Sequence, residues 1–166
     1  MPYQIDDPVV LPGYGVGRIV GTVMKRLAEP EARTYYEVVL GKNTVWVPVD
    51  AGAATRLRPL TPRTELVQGR GVLRGRPLPL TPDFRQRRLD LGGVLRAGSF
   101  QGLCEMVRDI TARGWAKALS DGDIAMLRKA REGLCQEWGA MDGVSTLEAA
   151  KEVDALLLEG RETYRA

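Results

Sequence analysis

"VVLPGYGVGRIVGTV", residues Val9–Val23, sets three glycines, Gly13, Gly15 and Gly17, between two apolar runs. A dinucleotide loop needs Gly-x-Gly-x-x-Gly at the opening of a helix, whose N-terminal amides hold the phosphate. Here the third glycine comes one residue early, and Arg18 stands in its position. The "RIVGTV" that follows alternates like a strand, and no Gly-Lys-Ser/Thr completes a P-loop. The stretch therefore reads as strand, tight glycine turn with φ > 0 backbone, and strand.

The rest of the first third continues the pattern. "RIVGTVMKRL" places Ile19, Gly21 and Val23 on one face and Val20, Thr22 and Met24 on the other. "TYYEVVL" is rich in β-branched and aromatic residues, "GKN" is hairpin chemistry, and "TVWVPV" follows it. "AEPEAR" is the loop before Thr34. Short strands with tight turns between them predict a small, strongly bent antiparallel barrel ending near Leu60.

Beyond Leu60 the period changes to that of helices. "LTPRTELVQGRGVLRG" opens with Thr61 as N-cap and Pro62 at the first helical position, and its glycines keep that helix short. "RPLPL" is a rigid connector. "TPDFRQRRLDLGGVLRAG" opens with a second Thr-Pro and closes at Gly98. Ser99 caps "SFQGLCEMVRDITARG", and Ser120 with Asp123 opens "SDGDIAMLRKAREGLCQEW". Ser145 and Glu148 form a capping box for the last segment. About five helices with short connections make a compact bundle. The fold class is α+β, with a β-domain over residues 1–60 and an all-helical domain over 61–166.

Composition limits the chemistry. The 166 residues contain no histidine and two cysteines, Cys104 and Cys135, far apart in sequence. Histidine-dependent triads and histidine-containing zinc sites are excluded, and two thiolates cannot complete a zinc site. No pair of carboxylates marks an acid/base site. We expect no enzymatic activity, no catalytic residue, no cofactor and no metal. The cysteines read as reduced core thiols. No apolar run approaches a membrane span, and the acidic "MPYQIDDPVV" start lacks a signal-peptide layout. These features predict a cytoplasmic protein with no membrane partner.

The net charge of +3 is unevenly placed. From Met1 to Thr55 it is −1 and from Ala97 onward −3, whereas Arg56–Arg96 carries ten arginines against three carboxylates, or +7. Such a block is either a polyanion-binding surface or a solvated face laced with ion pairs. Within it, "FRQRR" puts Phe84 in the first turn of a helix beside Arg85, Arg87 and Arg88. Phe84 lies seven residues before Leu91 and so fits the core face of that helix. It also fits an exposed apolar wedge flanked by phosphate-binding arginines, the pairing that minor-groove proteins use to pry open a base step. Arg70, Arg74 and Arg76 would extend the backbone contacts.

The order "VVLPGYGVG", "YYEVVL", "VWVPV", "PLP", an arginine-rich helix and "LCEMVRDI" resembles the CarD/CdnL family of bacterial transcription regulators, roughly from Ile5 to Ala140. That resemblance implies an N-terminal Tudor-like domain, similar to that of transcription-repair coupling factors, docked on the RNA polymerase β subunit. It implies a helical domain on promoter DNA at the upstream edge of the melted bubble, where an aromatic wedge, usually Trp, enters the minor groove and stabilises the open complex. The wedge position falls on Phe84, which lacks an indole N–H, with basic neighbours at Arg85, Arg87 and Arg88. The polymerase-contact positions fall on Lys25, Arg26 and Trp46. Trp46 departs from the polar or basic residue expected there, and is either a contact or a packed strand residue. Val45 and Val47 must point opposite to it. Trp115 and Trp138 read as bundle residues. The expected protein is a nucleoid-associated monomer. The alternative is a protein–protein interaction module that does not touch DNA.

Overall fold

A computed structural model describes residues 3–26, 31–49 and 57–165. The start of "AEPEAR" and Arg56 lie outside the described residues. The chain divides between Leu60 and Thr61 into two compact units.

In the first unit, β1 (Pro8–Leu11), β2 (Gly15–Lys25), β3 (Arg33–Leu40), β4 (Asn43–Pro48) and β5 (Arg58–Pro59) form one antiparallel sheet in the order β4-β3-β2-β1-β5. The Val9–Val23 stretch is indeed a hairpin. Leu11 opposes Gly15, and the turn holds Gly13 at φ 87° and Gly15 at φ 119°, a region that side chains other than glycine resist. Gly17 serves space instead: a Cβ there would lie 2.6 Å from Leu40 and 2.8 Å from the Val39 carbonyl.

Two sequence expectations change. The sheet is open rather than a closed barrel, with β4 and β5 as its edges. β5 is only two residues long and one is Pro59, which has no N–H to extend a ladder. The face assignment along β2 also breaks. Ile19 opposes Val38 while Gly21 opposes Glu37, so Val20 is an extra residue in a bulge. Ile19 therefore joins the buried face, and Gly21, Val23 and Lys25 move to the other one. The core consists of Val9, Leu11, Ile19, Tyr36, Val38, Leu40, Val47 and Leu57, with Tyr3 edge-on to Tyr36.

The second unit contains α1 (Leu66–Leu73), α2 (Phe84–Ala97), α3 (Phe100–Ala116), α4 (Asp121–Asp142) and α5 (Thr146–Tyr164). Ser99, Ser120 and Ser145 cap α3, α4 and α5 as their spacing predicts. Thr61 and Thr81 do not cap. Thr61 instead donates its hydroxyl (2.7 Å) and its amide to Glu137, which is 1% exposed. Asp83, not the Thr81-Pro82 pair, caps α2 by accepting the Arg85 amide. Cys104 and Cys135 are free and buried. Burial pushes the Cys104 thiol up to about 12, and it remains protonated at neutral pH.

The bundle closes on Trp138, whose ring is fully buried against Phe100 and whose indole N–H donates to Glu152 at 3.0 Å. α1 reaches this centre through Gly69, where a Cβ would sit 2.9 Å from the Phe100 ring. Gly71, two residues on, faces open space. The two glycines should respond oppositely to alanine. Gly69→Ala overpacks a closed core and should cost about 1–3 kcal/mol. Gly71→Ala should stabilise by roughly 0.5–1 kcal/mol through helix propensity. Urea denaturation of the two variants measures both signs.

Candidate polymerase and nucleic-acid surfaces

Because opposed residues of antiparallel strands share a face, the bulge assembles a second surface on the sheet. Lys25 and Val23 come from β2, Tyr35 and Glu37 from β3, and Trp46 from β4, directly opposite Glu37. Trp46 is half-buried there, pointing away from the core residue Val47. The Lys25 ammonium lies 3.5 Å from the centre of its ring, a cation–π contact across the intervening strand. The Trp46 indole N–H is buried and finds no acceptor among the described residues. Arg26, just past the end of β2, is exposed. Lys25, Arg26 and Trp46 thus fall toward one corner of the sheet, Lys25 and Trp46 in direct contact.

In the helical unit the arginine block separates into two kinds. Arg85 and Arg88 are exposed on the first turns of α2. Phe84, the first residue of that helix, is 46% exposed, with the Arg88 guanidinium 5.5 Å from its ring centre. Its other side rests at the start of α4, where a Cβ on Gly122 would lie 3.7 Å from the ring. Phe84 is therefore not a core residue of α2; Leu91 fills that role at 4% exposure.

Arg87 is of the other kind. It is 4% exposed, and its Nε donates to Asp123 at 3.0 Å. Its Nη1 donates to the carbonyls of Thr81 and Pro82. The sequence places Arg87 with the DNA-facing cations, but the structure turns it inward because Asp123 offers a buried carboxylate one helix away. Arg113 adds a second cation, 3.6 Å from Asp123. Burial alone would raise the Asp123 carboxyl. The hydrogen bonds from Arg87 and Ser120 and the charges of Arg87 and Arg113 outweigh it and hold the group below the usual carboxylate range. Arg70 is likewise committed, donating to Glu152 at 2.7 Å. That hydrogen bond is the main reason Glu152 titrates low. Arg74 and Arg76 remain exposed.

Sequence reasoning missed the inward partners Asp123, Glu137 and Glu152. Asp123 was legible only as the N3 residue of a Ser-capped helix; nothing local marks its second task. Among the described residues no cluster of His, Cys, Asp or Glu could hold a metal, and no helix is long and apolar enough to cross a membrane.

The chain thus joins an open antiparallel sheet with an aromatic–cation corner to a helical bundle with an exposed aromatic among arginines. Family models agree with this division. Residues 3–61 match the CarD-like/TRCF RID domain and residues 71–154 the CarD C-terminal domain. The chain belongs to the CarD family of transcription regulators, whose RID domain interacts with RNA polymerase. It is 28% identical over 146 residues to "Putative transcription factor YdeB" of Bacillus subtilis (strain 168), covering 86% of this chain and 94% of that protein.

The Arg87–Asp123 pair gives a pH signature. A carboxyl whose folded pKa is depressed contributes stability above the ordinary carboxylate range, and loses it as pH falls through the folded value. Asp123→Asn leaves Arg87 buried without its main counter-ion and should cost about 3–5 kcal/mol at neutral pH. The gap between variant and parent should narrow as acid protonates Asp123 in the parent. Arg85→Ala and Arg88→Ala should change stability by no more than about 0.5 kcal/mol at any pH. Urea titrations at neutral and acidic pH read all three.

Proposed function

We propose that this protein is a non-enzymatic adaptor acting in the cytoplasm on nucleoid DNA. In this reading the sheet face around Lys25, Arg26 and Trp46 docks on the RNA polymerase β subunit. The start of α2 meets promoter DNA at the upstream edge of the melted bubble. Phe84 wedges into the minor groove, and Arg85 and Arg88 hold the flanking phosphates. Arg87 supports them from inside rather than touching DNA. The observation that carries the reading is the 46% exposure of Phe84 at the first turn of α2, with the exposed Arg88 guanidinium 5.5 Å from its ring and Arg85 exposed next in sequence.

The energetics suit two weak sites. A contact to polymerase raises the local concentration of the helical domain at the promoter, so the DNA contact need not be strong alone. Each 1.4 kcal/mol or so of contact made only in the open state shifts melting about tenfold.

The test separates the surfaces. Lys25→Glu with Trp46→Ala should abolish pull-down of purified RNA polymerase and leave the fold intact. Phe84→Ala should retain pull-down, change the unfolding free energy by less than about 1 kcal/mol, and shorten the lifetime of open promoter complexes. Phe84→Trp should match or lengthen that lifetime, since indole adds stacking surface and a donor. Unchanged lifetimes with Phe84→Ala, alongside intact polymerase binding, would leave a protein-interaction module with no DNA contact.

A further inference from the structure

A groove of about 390 Å³ runs beside the Pro77–Leu80 connector. Its apolar lining comes from Leu80, Ala112 and Trp115, and its exposed rim carries Leu78, Arg76 and Lys117 beside Tyr164. Two of those cations are uncommitted. Among the described residues Arg76 has no carboxylate partner and stacks 4.9 Å over the Tyr164 ring, and Lys117 is exposed. The acidic residue in the groove, Asp109, is already occupied by the Arg108 guanidinium at 2.7 Å and the Leu78 amide at 3.0 Å. Leu78 is 57% exposed, held out by that amide bond in an extended proline-flanked segment. Aromatic faces and apolar edges beside free cations are the chemistry of base stacking with phosphate tracking, which binds unpaired strands and tolerates any sequence. A rigid duplex offers no free base to such a groove.

The groove also leads to the proposed wedge. Residues 76–80 line it, and residues 81–83 continue directly into Phe84. Arg113, which lines it too, shares Asp123 with Arg87 one turn below Phe84. We propose that this groove holds unpaired DNA, receiving a strand that leaves the duplex beside Phe84. The inference extends the wedge reading from duplex edge to single strand, and names Arg76, Leu78, Trp115 and Lys117 as its contacts.

Fluorescence anisotropy on the full chain tests it with three probes: labelled oligo(dT), the same length of dT·dA duplex, and thymidine monophosphate. Oligo(dT) should bind tighter than either of the others. Arg76→Glu with Lys117→Glu should weaken oligo(dT) roughly tenfold or more and lower its log–log salt slope by about 0.7 per lost phosphate contact. Leu78→Asp should also weaken it, and all three residues are exposed or on the rim, so thermal melts should stay unchanged. Arg85→Glu with Arg88→Glu should weaken duplex binding more than oligo(dT). Duplex or mononucleotide binding as tight as oligo(dT), or oligo(dT) binding that survives the groove substitutions, overturns the proposal. Promoter-complex lifetimes with Phe84→Ala report on the wedge separately, so a failed groove and a failed wedge give different results.

Discussion

The ion pair between Arg87 and Asp123 is the constraint around which the junction of α2 with α4 is arranged. Two charges at 4% and 3% exposure cost several kcal/mol each to take out of water, and only full hydrogen bonding offsets that. Here several hydrogen bonds supply the offset. Arg87 gives Nε to the carboxylate and Nη1 to two carbonyls, and Arg113 adds a second positive charge. Asp123 is also a residue of the Ser120-capped turn, so the pair ties the first turn of α2 to the first turn of α4. A buried pair of this sort is weak as a source of net stability. Its effect is to allow one arrangement: any slip of α2 would strand a buried guanidinium.

The sheet solves a different problem with one extra residue. A strand with strict alternation offers a single core face, and β2 needs two. Near Val9 and Leu11 it must bury Ile19; near its end it must present Lys25 opposite a surface that carries Trp46. The bulge at Val20 reverses the alternation between these tasks. Without it, Lys25 would share a face with Ile19 and point toward the core, and its contact with Trp46 across β3 could not form.

Much of this was legible because it depends on local chemistry. The Val9–Val23 hairpin, the GKN turn, the serine caps of three helices and the change of period near Leu60 rest on turn and cap residues within a few positions of each other. The open sheet and the inward turn of Arg87 rest on partners far away in sequence. Arg87 and Asp123 are 36 positions apart, and Thr61 and Glu137 are 76 apart. Four of the block's arginines, Arg85, Arg87, Arg88 and Arg70, look alike in a string. Only the presence of Asp123 and Glu152 behind two of them distinguishes supporting cations from free ones. The same blindness hid the groove, since Trp115 reads as one more apolar residue of an amphipathic helix until the connector is laid across it.

The division of labour among those arginines bears on how a wedge can work. A ring prying at a base step acts only as well as its support resists, and ordering that support on contact would consume binding free energy. At Phe84 the support is ordered beforehand. The Asp83 carboxylate fixes the Arg85 amide, Arg87 holds the carbonyls of Thr81 and Pro82, and the ring itself lies against Gly122. What remains exposed to adjust is the long side chains of Arg85 and Arg88, which can follow a phosphate backbone of variable shape. In the proposed DNA complex, Arg87 held inward would favour the contact more than a third exposed cation would. An added surface charge would contribute one salt-screened phosphate contact, whereas the buried one sets the position from which all the others act.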